Sequence, residues 1–239
     1  MSLQESLAKI RPHTSSSLAH QKAPANLLIA LESTLSDQGT VRSPTAYFAS
    51  LLTTLESSQG KASLNDGDLL PAILYLLALV GPHVPPPIIR SHLSTLLSLL
   101  APLFPSLVSH APPLRSHLTL FSAIIQALDI SQLDTPVIRQ TFTFILDLTV
   151  DSRPKVRKKA AEVVRDVLAN PPTPLAQHPY AERAGEWASG SLSRVSSSAG
   201  SFGKQGKKAE ARDVSEDGIH IIAMLKSIVL YLPTSVRVS

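Results

Sequence analysis

Cysteine is absent from the 239 residues. That excludes a disulfide framework, a thiol nucleophile and cysteine-ligated zinc, and it suits a reducing compartment. Aromatic residues amount to only 5%, so a core has to be built from Leu, Ile, Val and Ala. Charged residues are sparse at 17%, against about 25% in ordinary soluble domains. Hydrophobic residues nevertheless reach 44%, which argues against a disordered chain. Long apolar runs are missing too. Leu69 to Val80 is apolar throughout but falls well short of the roughly 20 residues that cross hydrocarbon. Ile88 to Val108 is longer but interrupted by Arg90, His92, Pro102 and Pro105. Both read as core helices, with no membrane involvement. The opening MSLQESLAKIRPH has no apolar signal region, so a soluble, intracellular protein is expected. Alternation of period two is absent, and Asp66-Gly67 flanks a helix start rather than joining two strands. The fold class expected is all-α.

What the sequence has in quantity is proline, 19 residues of it, punctuating stretches with a 3.6-residue apolar period. Leu18, Leu27, Leu28, Leu31 and Leu35 form a first apolar face, which Pro24 could kink. Ser43-Pro44 and Thr135-Pro136 place a hydroxyl cap before a first-turn proline. Further helices are expected over about 68–80, 88–100, 113–128, 154–169 and 178–192. Proline openings at 44, 86, 136 and 179 lie about 42, 50 and 43 residues apart, near the 40–47 of two-helix HEAT or armadillo units. Each such pair is apolar on more than one side, so stacking gives an α-solenoid of helical hairpins. A compact bundle is the competing arrangement, and it does not explain the recurring prolines. The expected organisation is a helical cap over 1–42, HEAT-like pairs over 43–192, a flexible Ser/Gly/Lys-rich loop over 193–214, a last apolar helix over 215–232 and a tail over 233–239.

Net charge is +4, a mild excess that permits an acidic partner without requiring one. Its densest cluster is Arg153, Lys155, Arg157, Lys158 and Lys159. Val156, Ala160, Val163, Val164 and Val167 mark the opposite, buried face, so Lys155, Lys158 and Lys159 should point outward as candidate RNA or acidic-partner contacts. A plain solvated face, with Lys158 paired to Glu162, explains the same pattern. Cations near a helix N-terminus oppose the macrodipole, which hints at compensation. Lys204, Lys207 and Lys208 form a second basic group, in a segment that lacks the spacing of a phosphate-binding loop. It reads as a passive linker or a mobile RNA-touching loop.

No catalytic constellation emerges. The eight histidines are scattered without metal-ligand spacing, and no nucleophile elbow is present. Asp66 and Asp68 suit a helix cap better than an acid/base pair. Tyr180 and Trp187, two turns apart on one expected helix, suit packing between repeats better than base stacking. A non-enzyme without cofactor or metal is expected.

The segment Asp151-Ser-Arg-Pro-Lys-Val-Arg157-Lys-Lys-Ala-Ala-Glu-Val163 resembles the second half of a HEAT repeat. Thr143 stands where many repeats carry proline. By that resemblance Asp151 and Arg157 join a polar ladder between adjacent repeats. Leu7-Ala-Lys-Ile-Arg11, Ser43-Pro-Thr-Ala-Tyr-Phe48 and Val84-Pro-Pro-Pro-Ile-Ile-Arg90, in that order and spacing, resemble the amino-terminal region of the ribosomal RNA-processing protein 12 family. The likeness covers about residues 3 to 232. It implies a HEAT-repeat, karyopherin-like scaffold of nucleus and nucleolus, acting in pre-ribosome maturation and export. The implied partners are pre-ribosomal RNA, assembly proteins, Phe-Gly nucleoporin repeats and the GTPase Ran. Family members are several times longer, so an amino-terminal portion or a truncated product is expected. The alternative is a soluble nuclear transport receptor that reads peptides or Phe-Gly repeats without RNA.

Overall fold

The computed structural model describes residues 2–58, 63–65, 67–200 and 208–234, the side chains of 198–200 and 208–216 excepted. Among the described residues every regular element is a helix. They form two compact units, Met1–Leu128 and Asp129–Ser239.

In the first unit, helix α1 (Leu3–Ile10) opens on a reciprocal cap. Ser2 Oγ accepts from the Glu5 amide, and the Glu5 carboxylate accepts from the Ser2 amide. A 3₁₀ turn, Arg11–Ser15, leads into α2 (Ala19–Asp37), which runs unbroken through a buried Pro24. Helix α3 (Pro44–Ser57) starts as the sequence predicts, with Ser43 Oγ accepting from the Ala46 amide. Helix α4 (Leu69–Val80) is the centre of the unit. Leu70, Ile73, Leu74, Leu76, Leu77 and Val80 are all buried, and the helix packs against α2, α3 and α8 (Ala111–Ala127). This explains a nearly continuous apolar run too short for a membrane. Among the described residues no helix is long and apolar enough to cross one. Asp68 does not cap α4; its carboxylate accepts from the Asn65 amide instead. Asp66 lies outside the described residues. Gly67, at φ +90°, is needed twice over, because an added Cβ would sit 2.9 Å from the Ala19 methyl.

The stripe expected over 88–100 is two helices, α5 (Pro86–Ser91) and α6 (Leu93–Leu100), broken at His92. His92 leaves helical geometry, with its ring Nδ1 3.0 Å from the Ile88 carbonyl oxygen. A polar side chain that can reach back to the preceding turn offers the backbone an alternative to helix. Pro102 and Pro105 divide the next stretch of chain into a 3₁₀ turn and the short α7 (Phe104–Leu107). Helix α8 buries the predicted stripe of Leu114, Leu118, Phe121, Ile124 and Ile125.

The second unit begins with α9 (Ile130–Leu133) and α10 (Pro136–Asp147). Thr135 does not cap α10, because its hydroxyl donates to the Gln132 carbonyl. A 3₁₀ turn, Leu148–Val150, joins α10 to α11 (Pro154–Leu168), forming a helical hairpin. Helices α12 (Ala181–Gly200) and α13 (Lys208–Ile228) form the next, with α13 also against α11. The fold class is all-α, made of repeated helical hairpins of the HEAT/armadillo-like solenoid kind.

The loop expected over 193–214 is corrected at both ends, since α12 continues to Gly200 and α13 starts at Lys208. Residues 201–207 lie outside the described residues. Ala184, Ala188 and Ser191 form a buried small-residue stripe on α12. At Gly218 an added Cβ would approach Val195 Cγ1 to 3.3 Å. The helices pack through small side chains, so a composition poor in bulky residues still makes a helix pair. The start of α13, Lys-Ala-Glu-Ala-Arg, is rich in strong helix formers.

Candidate nucleic-acid interface

Helix α11 is amphipathic in the predicted sense. Val156, Ala160, Val163, Val164 and Val167 are buried, leaving a charged outer face. The turn before it supplies the compensation that the cations require. Asp151 Oδ1 accepts from the Arg153 amide at 2.8 Å and from Arg153 Nε at 2.9 Å. Asp151 Oδ2 accepts from Arg153 Nη2 at 2.7 Å. A carboxylate thus sits at the positive end of the helix dipole. Hydrogen bonds from Arg153 hold Asp151 below the usual carboxylate range against a smaller upward push from burial.

The five cations of the cluster are not equivalent. Arg153 is committed to Asp151. Arg157 Nη1 donates to the Asp151 carbonyl at 2.6 Å and, more weakly, to that of Ser152. Arg157 thus closes the turn at the start of α11 through the Asp151 backbone. Lys159 Nζ lies 2.8 Å from Glu162 Oε2, so the pairing expected of Lys158 falls to Lys159. That contact, ahead of burial, lowers the Glu162 carboxyl. Lys155 and Lys158 remain. Both are exposed and, among the described residues, neither makes an ion pair or hydrogen bond. Three positions apart, they share the outer face at the start of α11. Lys204 and Lys207 lie outside the described residues, and Lys208 is described only as the first residue of α13.

Tyr180 precedes α12 rather than lying on it. Its ring stacks on Phe142 with centroids 4.6 Å apart, and its hydroxyl donates to the Leu133 carbonyl. Trp187 Nε1 donates to Asp147 Oδ1 at 2.8 Å, and Arg183 Nη1 donates to Thr143 Oγ1 at 3.3 Å. The Arg183 and Trp187 contacts tie α12 to α10, and the Tyr180 ring serves packing. Among the described residues no group of His, Asp and Glu could hold a metal ion.

A family model described as RRP12-like, N-terminal HEAT repeats, matches residues 9–239. The chain belongs to the RRP12-like family. The match covers every element from the end of α1 onward, including the α11 face. Among RRP12-like relatives, Ribosomal RNA-processing protein 12 of Saccharomyces cerevisiae is 27% identical over 96% of this chain and 20% of its own length. The RRP12-like protein of Homo sapiens is 31% identical over 64% of this chain and 12% of its own. That of Gallus gallus is 27% identical over 93% and 16%. The chain thus spans a fifth or less of these relatives.

One polar cluster centres on Glu32, a residue that the sequence does not single out. Glu32 is buried in the first unit and receives Arg11 Nη2 at 2.7 Å and the Tyr47 hydroxyl at 2.8 Å on Oε1. A signal for it exists: Leu28, Leu31 and Leu35 define the buried face of α2, and Glu32 falls within it.

Proposed function

We propose that this chain is a non-catalytic scaffold in ribosome biogenesis, serving rRNA processing, pre-ribosome maturation and nuclear export. Its contact with pre-ribosomal RNA is made through the outer face of α11. Family membership supports the process, and the name of the yeast relative supports RNA as the material handled. The observation that carries the contact is the pair Lys155 and Lys158, exposed cations that make no ion pair or hydrogen bond among the described residues. Phosphate neutralisation by such lysines releases counterions and requires no particular base. Arg153 and Lys159 flank them as paired charges, and Lys204, Lys207 and Lys208 are further candidate contacts in this proposal. Nuclear and nucleolar residence, with shuttling to the cytoplasm, and association with assembly proteins and Ran accompany this reading.

A second reading rests on a different observation. Ile219, Ile222, Val229 and Leu230 are exposed along α13 and the turn at its end, an apolar row suited to Phe-Gly repeats without RNA. Titration of labelled pre-rRNA fragments at several salt concentrations separates the two. RNA binding that weakens with salt and is lost in Lys155→Glu/Lys158→Glu supports the first. Unchanged affinity in that variant, with salt-insensitive capture of Phe-Gly peptides, replaces it with the second.

A further inference from the structure

Tyr75 is 40% exposed in the middle of α4, the most deeply buried helix of the first unit. The hydroxyls of Tyr47 and Tyr180 donate to Glu32 and to the Leu133 carbonyl. That of Tyr75 makes no hydrogen bond among the described residues. Two contacts fix what lies beside it. Ala19, the first residue of α2, lies against Gly67 just ahead of α4, so the two helices start level. At the far end of α4, an added Cβ on Gly81 would meet Leu120 Cδ1 at 3.2 Å and Ala123 Cβ at 3.5 Å in α8. Packed along α4 on either side, α2 and α8 run in its direction. Stepping along the helices from these contacts puts Lys22 level with the first turn of α4 and Arg115 level with Tyr75. A helical side chain leans toward its own N-terminus, so the phenol covers the turn between those two levels.

The charge around the ring is of one sign. Lys22 is exposed and its side chain makes no ion pair or hydrogen bond among the described residues. Arg115 reaches only the Ala111 carbonyl of its own helix, at 3.4 Å. Helices α4 and α8 contain no carboxylate. In α2, Glu32 is buried and held by Arg11 and Tyr47, and Asp37 stands at the opposite end from Lys22. Asp68, ahead of α4, turns back onto the Asn65 amide. We infer that Tyr75 is a base-stacking residue for single-stranded RNA, with Lys22 and Arg115 meeting the phosphates on its two flanks. The inference rests on the reading of this chain as an RNA-contacting scaffold and adds a contact of another kind, within the first unit. Lysines of α11 neutralise phosphates alone, whereas an exposed ring between cations holds a base by its face, whichever base it is.

Binding of a fluorescein-labelled adenylate dodecamer to the full chain tests this, beside an abasic strand of the same length. Tyr75→Ala and the bulkier Tyr75→Leu should each weaken the adenylate strand at least about fivefold, and Tyr75→Phe by less than about twofold. None of the three should change the binding of the abasic strand. Lys22→Glu/Arg115→Glu should weaken both strands, since it acts on phosphates. Thermal melts and circular dichroism of every variant separate loss of contact from loss of fold. Wild-type affinity for adenylate in folded Tyr75→Leu overturns the stacking, and so does equal weakening of the two strands. Displacement of the adenylate strand by oligoglutamate from wild type, but not from Tyr75→Leu, overturns it in favour of an acidic peptide. The α11 contact stands or falls separately, on Lys155→Glu/Lys158→Glu with the same strands. Weakening in Tyr75→Leu with full binding in that double variant keeps Tyr75 and removes α11.

Discussion

At the scale of single residues, the least comfortable side chain is His117. It is fully buried in α8 with its ring edge-on to Phe104 and Phe121, at centroid distances of 4.4 and 4.9 Å. Among the described residues neither ring nitrogen has a hydrogen-bond partner. Burial pushes its pKa down to about 3, so the folded protein holds it neutral while the unfolded chain titrates near 6.5. The unfolded state therefore binds the extra proton between those two values. Stability from this group is complete above about pH 6.5 and falls by up to about 1.4 kcal/mol per pH unit toward pH 3. His117→Leu should raise stability by about 1–2 kcal/mol at pH 7, since an unsatisfied polar group is removed at similar volume. It should also flatten the acid limb of urea midpoints between pH 6.5 and 4. An unchanged acid limb in the variant would assign that limb to other groups. His178 would be one of them, also pushed down by burial, to about 4, while its Nδ1 accepts from the Tyr180 amide. Glu32 acts in the opposite chemistry. Burial alone would raise its carboxyl, but the Arg11 and Tyr47 hydrogen bonds outweigh that and hold it low. Its contribution is present above the ordinary carboxylate range and lost as pH falls through the lowered value.

At the scale of elements, close approach through small residues explains what composition concealed. Ala184 and Ala188 of α12 are wholly buried, with α13 packed alongside. Ala188→Leu should destabilise the protein by about 1–3 kcal/mol through overpacking. Ser189→Leu, one position on and exposed, should change it by less than about 0.5 kcal/mol. Chemical denaturation of both variants checks this, and equal effects would show that the stripe is not tightly packed. The same stripe marks a limit of what a sequence discloses. Large aliphatic side chains at 3.6 spacing make α3, α4, α8 and α11 readable, together with the outer placement of Lys155 and Lys158. Serine and glycine at the buried positions of α12 carry no hydrophobic signal, and their close packing is a property of the partner helix. The break at His92 and the turn-closing bonds of Arg157 depend likewise on side-chain reach, which spacing does not encode. Pairing of Lys159 rather than Lys158 with Glu162 turns on a choice between two allowed helical neighbours.

At the scale of the whole molecule, a net charge of +4 says less about nucleic-acid affinity than the number of cations free to meet phosphates. Arg153, Arg157 and Lys159 already direct their hydrogen bonds within the protein, and detaching them would uncover Asp151 or Glu162. Two lysines neutralising two phosphates of single-stranded RNA predict a slope of log affinity against log salt near about −1.4, whereas five acting cations predict about −3.5. Binding isotherms of a single-stranded pre-rRNA fragment between about 50 and 300 mM salt distinguish these as order-of-magnitude values. A slope near the smaller figure, abolished in Lys155→Glu/Lys158→Glu, fits an interface confined to the unpaired lysines. A slope near the larger one that survives this double reversal removes the α11 face as the RNA contact, and places the acting charges elsewhere in the chain.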